Sequence, residues 1–167
     1  MAFFDFIKAA GEKLFPGASA AAQSSGAGRQ PSAADKSAAA DAAAGDAILN
    51  YIKSQNLDAT ALTVTYDSGT EVVTVYGVAK DQATKEKIIL CCGNVANVSR
   101  VDDKMSVEQS GPEAKFYTVK SGDTLSKISK DAYGDANQYT KIFEANRPML
   151  KNPDKIYPGQ VLRIPPA

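Results

Sequence analysis

Apolar positions recur along this chain in two rhythms, one near 3.6 residues and one of 2, separated by a stretch that keeps neither. Phe3, Phe6, Ile7, Ala10 and Leu14 fall within one arc of about 100° on a helical projection, and Asp5, Lys8 and Glu12 share the opposite side. That spacing predicts an amphipathic N-terminal helix within residues 1–15, with Gly11 ending its first part after Ala10. Its polar face lacks the Lys/Arg excess of a membrane binder, so the apolar face is expected to dock on the same protein.

Residues 16–44 then lose all large apolar side chains; 13 of the 27 residues from Ala18 to Ala44 are Ala, among Gly, Ser, Pro and Gln. Such a stretch buries too little to offset its ordering entropy and reads as a linker. Its end, Ala38 to Ala44, has the helix propensity to extend the element that follows.

Residues 45–110 read as an α-β-β-α-β unit. Asp46 is placed to cap a helix carrying Ile48, Leu49 and Ile52 on one face. Leu62 to Tyr66 and Val73 to Tyr76 alternate, with Asp67-Ser68-Gly69 between them as a hairpin signal. Asp81 is placed to cap a second helix through Ile88-Ile89-Leu90, which Gly93 ends as the C′ residue. A last strand follows between Val98 and Val107.

Residues 111–115 break the pattern, and residues 116–167 form a β-α-α-β unit. Phe116 to Val119 is its first strand; Thr124 or Asp123 caps a helix bearing Leu125, Ile128 and Ala132, closed by Gly134. A second helix starts at Asn137, carries Tyr139, Ile142 and Phe143, and stops at Pro148; Val161 to Ile164 is the closing strand. The class is α+β.

Composition narrows the function. The chain has 19 basic and 19 acidic side chains and no His. A neutral balance argues against nucleic acid, and the missing His removes the Ser–His and Cys–His nucleophile pairs and His-ligated zinc. Cys91-Cys92 lacks C-x-x-C spacing and reads as two small buried apolar residues. No enzyme is expected. No apolar run approaches the ~18 residues of a membrane span, and Asp5 and Lys8 interrupt what would be the core of a secretion signal. A cytoplasmic monomer is expected. The first unit carries a net −3 and the second a net +3, which favours their mutual docking.

Tyr117-Thr118-Val119-Lys120-Ser121-Gly122-Asp123-Thr124-Leu125, with Ile142-Phe143-Glu144-Ala145-Asn146 and Ile156-Tyr157-Pro158-Gly159-Gln160-Val161-Leu162-Arg163-Ile164-Pro165, resembles a LysM domain. Residues 46–107, with Gly77 and the Gly93-Asn94-Val95 helix exit, resemble a BON domain. Together with Phe3 to Phe15 ahead of them, they resemble the bacterial cytoplasmic BON–LysM proteins that bind potassium, although residues 16–44 are longer and richer in Ala than that family leads one to expect. The resemblance implies a sensor for K⁺ and other large monovalent cations such as Rb⁺ or Cs⁺, with a role in K⁺ homeostasis. The alternative is an envelope protein that binds peptidoglycan or another glycan through LysM, where Tyr133, Tyr139 and Tyr157 either line a groove or complete a small core.

K⁺ exchanges its hydration shell most readily for neutral carbonyl oxygens, whereas carboxylate cages suit Ca²⁺. Spare carbonyls occur at helix C-termini, here at Ala10-Gly11 and Cys92-Gly93. The family resemblance implies K⁺-binding carbonyls at Ile7, Ala10 and Glu12 and at Gly93, Val95 and Val98. Glu12 is ambiguous, offering either its carboxylate or its C=O. The same resemblance implies that binding closes the two domains on each other.

Overall fold

The computed structural model describes Ala2–Asp5 and residues 33–167. The first half contains strand β1 (Ala2–Asp5), helix α1 (Ala33–Ser54), strands β2 (Thr60–Asp67) and β3 (Val72–Asp81), helix α2 (Gln82–Gly93) and strand β4 (Arg100–Gln109). The second contains strand β5 (Lys115–Thr118), helix α3 (Leu125–Tyr133), a 3-10 turn (Ala136–Gln138), helix α4 (Tyr139–Ala145) and strand β6 (Val161–Ile164). Helices and strands share both halves, as an α+β class requires.

Four strands form one sheet in the order β1-β4-β3-β2. The β2–β3 hairpin is antiparallel, and its turn is built by Asp67, whose Oδ1 accepts from the Gly69 and Thr70 N–H groups. Strands β3 and β4 run parallel, so α2 must carry the chain back across the sheet. Asp81 ends β3 and caps α2, its Oδ1 accepting from Thr84 N at 2.7 Å. Ile48 and Ile52 of α1, Val73 and Val75 of β3, and Ile88 and Ile89 of α2 fill the core between helices and sheet.

Three expectations are corrected. Ala2–Asp5 is a strand, where the periodicity predicts a helix; it pairs antiparallel with β4, from Ala2 opposite Asp103 to Asp5 opposite Arg100. An open strand edge supplies backbone partners that a lone helix of this length lacks, and that long-range pairing overrides the local pattern. The rest of the 1–15 segment lies outside the described residues. Helix α1 starts at Ala33, inside the span read as linker, and Asp46 is an exposed residue of its interior and not a cap. Ala propensity and the docking of Ala44 and Gly45 on β2 carry the helix back through that span. A Cβ on Gly45 would lie 2.8 Å from the Val64 carbonyl oxygen, so glycine is what lets α1 sit this close to the sheet. Asp102-Asp103 reads in the sequence as a solvated turn or bulge in the last strand, but β4 runs through both in regular register with β3, and Asp103 is buried, pairs with Lys85 at 2.8 Å and accepts from Met105 N.

In the second half β5 and β6 pair antiparallel beside α3 and α4. Thr124 caps α3 by accepting from Lys127 N, and Gly134 closes it in the left-handed region at φ 78°. Asp123, the alternative cap, accepts from Lys120 N and the Tyr117 hydroxyl instead. Val119, Leu125, Ile128, Ile142, Leu162 and Ile164 make a second small core.

Candidate functional site

Helix α2 is the element on which the candidate site depends. Ile88 through Gly93 are all buried, because one side of the helix faces the sheet and the other faces β6. Where the helix ends, Asn94 N donates to the Leu90 carbonyl at 2.9 Å, Val95 N to that of Cys92 at 3.4 Å, and Val98 N to that of Val95 at 3.3 Å. The Gly93 carbonyl is not among these acceptors. It stands at the negative end of the helix dipole. Val95 and Val98 bury their side chains completely, so this turn has its main chain to offer.

The left-handed C′ role expected of Gly93 is not found. Gly93 is the last helical residue, and Asn94 makes the exit at φ −85° and ψ 10°. Left-handed glycines among the described residues are Gly77, Gly122, Gly134 and Gly159. The physical reason is side-chain anchoring: the Asn94 amide is held from outside the helix, which fixes the exit without a left-handed residue.

Of the six carbonyls that the family resemblance points to, the described residues include Gly93, Val95 and Val98, and they share the α2–β4 turn. Ile7, Ala10 and Glu12 lie outside the described residues. The direction of β1 still bears on them. Because Asp5 stands opposite Arg100 in an antiparallel pair, the chain leaves β1 at the end of β4 nearest Val98.

Other candidate chemistry is weak at this turn. Cys91 and Cys92 are buried and unpaired as a disulfide. Burial pushes the Cys91 thiol up to about 12, with Lys87 opposing, and burial, with the neighbouring Cys91, also raises Cys92 well above the usual thiol value. Both are therefore neutral thiols at physiological pH, poor as nucleophiles or metal ligands. No three His, Cys, Asp or Glu side chains cluster as a metal site among the described residues. Tyr66 closes the outside of the turn, its hydroxyl donating to the Asn97 carbonyl at 2.9 Å; burial and the charges of Glu71, Asp41 and Asp67 push its pKa up. No described helix is long and apolar enough to cross a membrane.

The contacts between the halves were not legible in the sequence. Asn94 Nδ2 donates to the Val161 carbonyl and its Oδ1 accepts from Val161 N, both at 2.9 Å. Two residues along the same strand, Asn146 treats Arg163 identically, at 2.8 and 2.7 Å. The outer edge of β6 is thus covered by two asparagine side chains, one from each half. Arg163 also reaches Glu86 of α2 at 2.5 Å, and Glu86 accepts from Gln82 and from Ala114 N. The Val161 side chain, though on β6, packs in the core of the first half. The opposite net charges of the two units signalled docking but not these partners. Tyr133 and Tyr139 pack on the second core, Tyr133 donating to the Pro165 carbonyl, whereas Tyr157 lines a cleft of about 350 Å³ with Tyr51 of α1.

Comparison with known proteins places both halves. Residues 46–109 match the BON domain model, and residues 117–165 match the LysM domain model. Over 92 residues, 55% of the chain, the sequence is 60% identical to the potassium binding protein Kbp of Escherichia coli, of which this covers 62%. It is 57% identical over 49 residues to a protein of Deinococcus radiodurans, covering 19% of it. It is 32% identical over 90 residues to the endolysin of Bacillus phage B103, covering 31% of it. The matches therefore span less than two thirds of each of these relatives.

Proposed function

This chain is a BON–LysM protein, and from that premise we propose that it binds K⁺ in the cytoplasm as a monomeric potassium sensor, without catalysis. Identity of 60% with a relative named for potassium binding carries the choice of ion. The donor set suits that ion. A large monovalent cation takes neutral carbonyls, and the α2 exit offers main chain at a helix C-terminus with no thiolate or carboxylate cluster beside it among the described residues. Rb⁺ and Cs⁺, weakly hydrated like K⁺, belong to the same class of ligand.

In this reading the carbonyls of Gly93, Val95 and Val98 meet those of Ile7, Ala10 and Glu12. The register of β1 supports the meeting. Asp5 stands beside Arg100, and Ile7 follows Asp5 by two residues, within about 7 Å of chain. Coordination would tie the N-terminal segment to the BON domain and tighten the LysM domain against it.

Calorimetric titration of the desalted full chain with KCl, then NaCl, tests this. Heat of saturable binding is expected with KCl and little with NaCl; equal, unsaturable heats would reject it. A second reading, glycan binding through LysM, is supported by the domain match and by the endolysin relative. Co-sedimentation of the protein with purified peptidoglycan would favour it.

A further inference from the structure

We infer that Asn94 is the positioning residue of the proposed ion site, so that LysM strand β6 forms part of the frame holding the Gly93 and Val95 carbonyls. This rests on the potassium reading above. Asn94 lies between those two residues, and its torsions, φ −85° and ψ 10°, set the angle between the peptide plane that carries the Gly93 carbonyl and the one that leads into Val95. Its N–H is held by the Leu90 carbonyl, and its side-chain amide ties it to β6, donating to the Val161 carbonyl and accepting from the Val161 N–H.

The anchor itself is fixed. Val161 is 4% exposed and packed in the BON core, and β6 is further tied to α2 through the buried pair of Arg163 with Glu86. Both amide bonds can form only while β6 is docked. Docking of β6 and the orientation of the α2 exit are therefore one state, and an ion that uses those carbonyls selects it. Asparagine is specific in this role, since Asp lacks the donor that the Val161 carbonyl requires and Ala lacks both groups. Coupling of this kind is reciprocal and commonly amounts to 5–150-fold in affinity.

Amide exchange and calorimetry on the full chain test the inference. In the unaltered protein, KCl should slow exchange of the Val161 N–H about tenfold, and by more than that of Ile128 in the LysM core; NaCl at equal ionic strength should leave both unchanged. Asn94→Ala should bind K⁺ about tenfold more weakly while the amides of Val73 and Val75 keep their chemical shifts, and the K⁺ effect on Val161 should disappear. Wild-type affinity in Asn94→Ala, or Val161 exchange indifferent to K⁺ in a chain that binds K⁺, overturns the coupling alone. A full chain that takes up no K⁺ overturns the ion reading and this inference with it. Should Asn94→Ala fail to fold, the exchange measured on the unaltered protein decides.

Discussion

Arg163 and Glu86 are both nearly buried, with side-chain exposures of 9% and 4%, and each is the other's ionic partner across the two halves. Removing one leaves the other charge buried and unpaired. Arg163→Ala or Glu86→Ala is therefore expected to cost about 3–5 kcal/mol in urea unfolding, whereas replacing both with apolar residues of similar volume should cost far less. Asp81 gives a pH prediction. The Thr84 N–H, opposed by partial burial, holds its carboxyl below the usual value of 3.8. A folded-state pKa below the unfolded one contributes stability that is present above pH 3.8 and is lost as pH falls through the folded value. Acid unfolding should steepen below about pH 4, and Asp81→Asn should flatten it measurably by circular dichroism. Asp67, lowered first by the Thr70 hydroxyl and then by the Gly69 N–H, and Asp123, lowered first by the Lys120 N–H, contribute in the same direction, so the flattening will be partial.

At the scale of elements, the close approach of α1 to β2 sets two effects against each other. Gly45→Ala would gain about 1 kcal/mol in helix propensity. The same Cβ would meet the Val64 carbonyl at 2.8 Å, and overpacking against backbone costs about 1–3 kcal/mol. Net destabilisation of about 1 kcal/mol is expected, measured by thermal melting, with the sign opposite to that of an ordinary helix glycine. Deleting residues 1–15 removes β1 and the three N-terminal carbonyls of the proposed site. The shortened chain should keep the β2–β3 and LysM amide signals yet lose K⁺ binding, and retained binding would place the site elsewhere.

The hairpin, α2 with its Asp81 cap, and α3 between Thr124 and Gly134 are legible in the sequence because their signals are local: alternation, an Asx turn, a cap. Strand β1 is not, because its partner lies about a hundred residues away and its short apolar run fits either period. The start of α1 is hidden by an Ala-rich composition that suits both linker and helix. Asn94 looks like an ordinary helix exit until β6 is placed beside it, 67 positions along the chain. For the site, the sequence marks the α2 exit by its glycine, while family resemblance alone points to the individual carbonyls.

For the whole molecule, the ion's effect follows from linkage. A ligand bound only by the native state adds RT ln(1 + [L]/Kd), about 2.7 kcal/mol at a hundredfold excess over Kd. KCl should therefore raise the melting temperature and reduce the radius of gyration, since the proposed donors lie some eighty residues apart in sequence. NaCl at equal ionic strength should do much less, and equal shifts with both salts would reduce the effect to general screening.

The pairing of β1 with β4 has a consequence in time. Ala2 leaves the ribosome about a hundred residues ahead of Asp103, which stands opposite it in the finished sheet. At 5–20 residues per second that interval is roughly 5–20 s. Over this interval α1, β2, β3 and α2 can assemble from near neighbours while the first strand waits without a partner. The first strand of this sheet to be made is thus among the last to find its place. A nascent chain gains the geometry proposed for holding the ion only after β4 has emerged, so competence to bind K⁺ should lag behind the folding of the hairpin.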